Sequence, residues 1–80
     1  MIEIELRVFG KLRNYIEGME IGGFQTLRCD DGSDVRDILR RLGIPETEAK
    51  IILVNGRAKE IDDKLNGGDR LAIFPAVAGG

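Results

Sequence analysis

Residues 30–43 read Asp-Asp-Gly-Ser-Asp-Val-Arg-Asp-Ile-Leu-Arg-Arg-Leu-Gly. Val35, Ile38, Leu39 and Leu42 fall at i, i+3, i+4 and i+7, which makes one apolar stripe on a helix of about ten residues. Asp30-Asp31-Gly32-Ser33 is a turn that leads into it, and Ser33 or Asp34 can serve as the N-cap. Asp34 and Asp37 suit the positive end of the helix dipole, and Arg40 and Arg41 suit the negative end. Gly43 supplies the stop. A single helix with one apolar stripe must cover a sheet, so the strands on either side decide the rest.

Upstream, Ile2, Ile4, Leu6 and Val8 alternate with Glu3, Glu5 and Arg7. That period of two marks a strand with one wet face. Phe9 falls by parity on the polar side. The stretch 10–23 is rich in glycine and charge, and Gly18, Gly22 and Gly23 predict a turn. Residues 24–29 then read as a second strand, paired with the first as an antiparallel hairpin. Leu27 and Cys29 share a face, and the pattern leaves open whether Phe24 or Gln25 begins the inward set.

Downstream, Ile44-Pro45 leaves the helix and residues 46–50 form a short turn. Ile51-Ile52-Leu53-Val54 is a continuous apolar run, the pattern of a strand buried on both faces. Asn55-Gly56 is a strong hairpin signal. A short strand over Ala58–Ile61 is expected, then a turn at Leu65–Asp69, then a last strand over Arg70–Phe74. In that strand Leu71 and Ile73 face one way, Ala72 and Phe74 the other. The fold class is therefore α+β in two layers, with a mixed sheet of four to five strands packed on one helix. Hairpin, helix and further strands in this order give the β-grasp arrangement. It sets the first and last strands side by side and parallel at the sheet centre.

The composition excludes several chemistries. The 80 residues make one domain. The net charge is −2 with both signs interspersed, so no basic block points to nucleic acid or an anionic membrane. The aromatics Phe9, Tyr15, Phe24 and Phe74 are scattered and make no stacking platform for bases. Histidine is absent and Cys29 is the only cysteine, so neither a zinc site nor an internal disulfide is expected. The alternation around Cys29 suggests a buried thiol. No apolar run of membrane-spanning length and no signal pattern at Met1 is present, and a cytoplasmic protein is expected. Asp30-Asp31 and Asp62-Asp63 sit at turns, where aspartate bonds to backbone. Gly67-Gly68-Asp69 precedes a strand and is no phosphate loop. Arg36, Arg40 and Arg41 read as a solvated helix face.

The residues that carry chemistry follow the last strand. Pro75-Ala76-Val77-Ala78-Gly79-Gly80 is expected as a flexible tail (75–80) on a domain of residues 1–74. Pro75 cannot donate to a sheet ladder and so ends the pairing. Extended, the tail reaches about 20 Å at 3.3–3.6 Å per residue. Glycine lacks a Cβ, so Gly79-Gly80 can thread a narrow channel. An ionised terminal carboxylate is a poor electrophile. ATP converts such a group into an acyl-adenylate, from which a sulfur donor displaces AMP to leave a thiocarboxylate. That route requires no histidine, cysteine or metal in the carrier.

Phe9-Gly10-Lys11-Leu12-Arg13, Asp31-Gly32-Ser33, Val54-Asn55-Gly56 and above all Leu65–Gly80 resemble the MoaD/ThiS family of ubiquitin-like sulfur carriers. The tail is most similar to that of molybdopterin synthase small subunits, where Phe-Pro-Pro-Val-x-Gly-Gly is usual. Here Ala76 stands at the second proline, and the link between helix and third strand is short. The resemblance implies that Gly80 carries the adenylate and then the thiocarboxylate, while Gly79, Ala78 and Val77 thread the partner's channel. It also implies that Phe9, Phe74 and Pro75 bind partners. Those partners would be an E1-like adenylating enzyme that uses ATP and Mg²⁺, a persulfide sulfur donor and the large molybdopterin synthase subunit. The chain would bind no cofactor or metal and would not be catalytic alone. A carrier for thiamine or cysteine synthesis, or a ubiquitin-like protein modifier, are the alternatives that share this tail.

Overall fold

The computed structural model describes residues 1–18 and 23–76. Its elements are β1 (Ile2–Val8), β2 (Gln25–Cys29), α1 (Val35–Leu42), β3 (Ile51–Val54), β4 (Arg57–Ala58) and β5 (Arg70–Phe74), with short 3-10 segments at Gly10–Tyr15 and Glu46–Glu48. The five strands lie in the order β2-β1-β5-β3-β4. β1 and β5 run parallel at the centre, and the other pairs are antiparallel. This is the expected β-grasp. Gly22 of the predicted turn, and Val77, Ala78, Gly79 and Gly80 of the tail, lie outside the described residues.

The helix is set by its ends. Asp34 is the N-cap and forms a capping box with Asp37: the Asp37 N–H donates to Asp34 Oδ1 at 2.9 Å, and the Asp34 N–H to Asp37 Oδ2 at 3.1 Å. Ser33, the other candidate cap, instead donates its hydroxyl to the Asp30 carbonyl at 2.7 Å. Gly43, at φ 76°, closes the helix in a Schellman motif. The Gly43 N–H donates to Arg40 O and the Ile44 N–H to Leu39 O. Between these ends Val35, Ile38 and Leu39 are buried. Each such side chain stabilises the fold by about 1.5–3 kcal/mol. They meet Ile4, Leu6, Val8, Ile52, Leu71 and Ile73 from the inner face of the sheet.

Three expectations are corrected. The apolar run Ile51–Val54 is not buried on both faces. Ile52 and Val54 face the helix, whereas Ile51 is 50% exposed, because a single helix covers only one side of the sheet. The fourth strand does not span Ala58–Ile61. It stops at Ala58, since the chain turns at residues 60–63 to serve the helix. There the Ile61 carbonyl accepts the Arg36 N–H at 2.8 Å and the Asp63 carbonyl accepts the Val35 N–H at 3.2 Å. These are donors of the first helical turn that have no partner within the helix. The segment after β1 is also more than a turn. Gly10–Tyr15 forms a 3-10 segment, and it buries Leu12 completely with Ile16 close behind.

Gln25 begins the inward set of β2, opposite Leu6, and Phe24 stands outside at 54% exposure. Asn55 and Gly56, at φ 55° and 81°, make the expected turn between β3 and β4. Asn55 also ties that turn to β5. Its Oδ1 accepts the Arg70 N–H at 3.0 Å, and its Nδ2 donates to buried Asp69 at 2.9 Å.

Candidate functional site

The parallel pairing of β1 with β5 places Val8 beside Ile73, so Phe9 and Phe74 meet where the two strands end. Both side chains point away from the helix and are half-buried. Their rings stack with centroids 4.2 Å apart and planes within 4°. The backbone holds the pair in place: the Phe9 N–H donates to Ile73 O at 3.1 Å, and the Lys50 N–H to Phe74 O at 3.0 Å. β3 then sets Ile51 opposite Phe74 and Leu53 opposite Ala72. The aromatic pair is therefore part of an apolar strip across the open sheet face. Toward β2 the strip is continued by Arg7, whose guanidinium lies 5.6 Å from the Phe24 ring centroid. Pro75, half-buried, follows directly at the root of the tail.

The structure thus brings Phe9 and Phe74 together, with Pro75 next in the chain. Gly80, Gly79, Ala78 and Val77 fall outside the described residues. Sequence reasoning missed Ile51 and Leu53. Their outward parity follows from the register with β5, which no local pattern reveals.

Several of the other polar residues singled out in the sequence have structural partners. Asp31 pairs with the N-terminus at 3.2 Å. Asp63 Oδ2 accepts the Glu60 N–H at 2.7 Å. Arg36 binds Glu46 at 3.1 Å, joining the helix to the segment that follows it, and Arg41 donates to the Arg28 carbonyl. Cys29 is buried. Among the described residues no group of three or more histidine, cysteine, aspartate or glutamate side chains could hold a metal ion, and no helix is long and apolar enough to cross a membrane. Near the aromatic pair, Glu48 joins two loops. It accepts from Tyr15 Oη at 2.6 Å and lies 3.5 Å from Lys11 Nζ. That bond, together with burial and the carboxylate charge, holds the Tyr15 phenol above its usual pKa.

Compared with known proteins, residues 1–79 match the family described as Mut7-C ubiquitin. The chain belongs to the Mut7-C ubiquitin family. This member is also similar to the HVO 2177 protein of Haloferax volcanii, at 32% identity and TM-score 0.73, over 99% of this chain and 87% of that one. It resembles small archaeal modifier protein 1 of the same organism at 21% identity and TM-score 0.71, over 96% and 100% of the two chains. A third likeness is to a chain from the complex of subunits 1 and 2 of molybdopterin-converting factor from Helicobacter pylori 26695. There the identity is 23% and the TM-score 0.57, over 99% and 100% of the chains. The last two likenesses are of fold. They put this Mut7-C ubiquitin domain in the ubiquitin-like architecture that the sequence resemblance implied.

Proposed function

We propose that this chain is a ubiquitin-like sulfur carrier whose working group is a free carboxylate at Gly80. An E1-like enzyme uses ATP and Mg²⁺ to turn that carboxylate into an acyl-adenylate, releasing pyrophosphate. The terminal sulfur of a persulfide donor displaces AMP, and a thiol then cleaves the S–S bond to leave the thiocarboxylate. The chain supplies no catalytic side chain of its own. Its contribution is a rigid handle, and the observation that carries this reading is the Phe9–Phe74 stack with Pro75 beside it. An apolar docking strip at the root of a slim glycine-ended tail lets a partner grip the domain and reach the carboxylate together.

The acceptor in this reading is the molybdopterin precursor, held by a large synthase subunit, and the protein works in the cytoplasm. The Phe74-Pro75 sequence and the likeness to a chain of the two-subunit converting factor support that choice. A second reading, conjugation of Gly80 to lysine of other proteins, is supported by the likeness to the archaeal modifier. Deletion of Gly80 tests what the two readings share. With activating enzyme, ATP and a sulfur donor, the full chain should exchange one oxygen for sulfur, and the deletion variant should stay unmodified yet fold normally. Sulfur transfer by the deletion variant refutes the mechanism. Conjugates in place of a thiocarboxylate select the modifier reading.

A further inference from the structure

The chain leaves β5 at Pro75, and the proline ring rests against the backbone of Gly10. A Cβ on Gly10 would stand 2.9 Å from Pro75 Cγ and 3.6 Å from Cδ, and the nearer distance is below normal van der Waals contact. Gly10 also lies in the left-handed region at φ 58°, which most side chains disfavour. The other described glycines of positive φ (Gly18, Gly32, Gly43, Gly56 and Gly68) would have nothing within 4 Å of such an atom. Those glycines serve turns and caps. At Gly10 the missing side chain makes room for another residue.

The seat is firmly held. Gly10 opens the 3-10 segment whose Leu12 is fully buried. Arg13 Nε donates back to the Gly10 carbonyl at 3.2 Å. Tyr15 at the far end is tied to Glu48, which also draws in Lys11. On the opposite side, Phe74 is held by its stack on Phe9 and by the Lys50 N–H. Proline adds its own fixed φ near −65°. Phe74 and the Pro75 ring are thus both held to the domain.

We infer that Gly10 is a positioning residue: it seats Pro75 and so fixes the direction in which the tail departs from the docking strip. Its consequence for sulfur transfer rests on the carrier reading above, whereas the seat itself does not. An end group must arrive within a fraction of an ångström of the attacking atom, and misplacement of about 1 Å can cost about a hundredfold in rate. Aiming the tail at its root narrows the search that the activating enzyme would otherwise make for the carboxylate.

The test is a double-mutant cycle of Gly10→Asn and Pro75→Ala in the full chain. Asparagine tolerates the left-handed backbone, so Gly10→Asn isolates the added Cβ, and Pro75→Ala removes the atom it meets. The first measurement is thermal and denaturant unfolding. Gly10→Asn should weaken the wild-type chain more than it weakens the Pro75→Ala variant, with a coupling of about fivefold in the unfolding constant. Additive effects overturn the seat, whether or not the chain carries sulfur. The second measurement is steady-state adenylation of folded variants. Gly10→Asn should lower kcat by about tenfold or more with KM within about twofold, because the docking strip is intact, and Pro75→Ala in the same chain should recover part of the loss. Coupled stability with unchanged kcat overturns the positioning role. A wild-type chain that is never adenylated overturns the carrier reading and the positioning role with it, while coupled unfolding would still support the seat.

Discussion

Replacing Phe74 with alanine removes one ring of a pair stacked at 4.2 Å, at a position that is only half-buried. Truncating a fully buried phenylalanine costs about 3–5 kcal/mol. Part of the side chain remains wet here, so about 2 kcal/mol is expected, of which about 0.5–1.5 kcal/mol belongs to the aromatic pair itself. In a domain of this size each kcal/mol lowers Tm by about 4–8 °C. Phe74→Ala should therefore unfold about 8–16 °C earlier and still be folded at room temperature. Far-UV circular dichroism suits the measurement, since the chain has no tryptophan. The cycle with Phe9→Ala isolates the pair. If the coupling is within about 0.3 kcal/mol of zero, the two sites are independent and the stacked geometry is wrong. The same variant tests docking. A buried aromatic anchor at an interface is worth about 2 kcal/mol or more, about thirtyfold in affinity for the activating enzyme or the large subunit. Unchanged binding by folded Phe74→Ala refutes the docking strip.

Further outcomes follow from the caps, the core and the single tyrosine. Asp34→Ala removes the capping box and should cost about 0.5–2 kcal/mol in denaturant unfolding, whereas Asp34→Asn, which can still accept the Asp37 N–H, should cost less. The Asp34 carboxyl is held below its usual 3.8, chiefly by the Asp37 backbone N–H. Its contribution is present above that value and is lost as pH falls through the folded pKa, so the acid midpoint should change in Asp34→Asn. Leu39 is fully buried, and Leu39→Ala should cost about 2–5 kcal/mol while leaving transfer by the folded fraction unchanged. Tyr15 is the only tyrosine, so its phenolate absorbance reports one group. The bond it donates to Glu48, then burial and the carboxylate charge, raise its pKa above 10.0. The contribution of that tie is full below the unfolded pKa and is lost as pH rises through the folded one. Glu48→Ala should lower the titration midpoint, and an unmoved midpoint refutes the bond.

The helix was legible because its signals are local. The stripe from Val35, the acidic cap and Gly43 all lie within eleven residues. The parity of Phe9 and Phe74 was legible too, since alternation within one strand sets the face and the element order makes the strands neighbours. What escaped depends on contacts distant in sequence. Ala58 ends its strand because the helix needs the carbonyls of Ile61 and Asp63, and nothing near residue 58 encodes that demand. Ile51 reads as core until the single covering helix is counted against both sheet faces. Leu12 and Ile16 sit in a stretch whose glycines and charges mask the apolar spacing. The role of Gly10 appears only once β5 has delivered Pro75 beside it.

The measurement closest to the central claim is the intact mass of the chain purified from its native cell, with the end group located by fragmentation. The account predicts a species with a free C-terminus at Gly80 in which one carboxylate oxygen is replaced by sulfur, lost when Gly80 is deleted. A chain that stays unmodified in the cell, and also with activating enzyme, ATP and a persulfide donor, contradicts it.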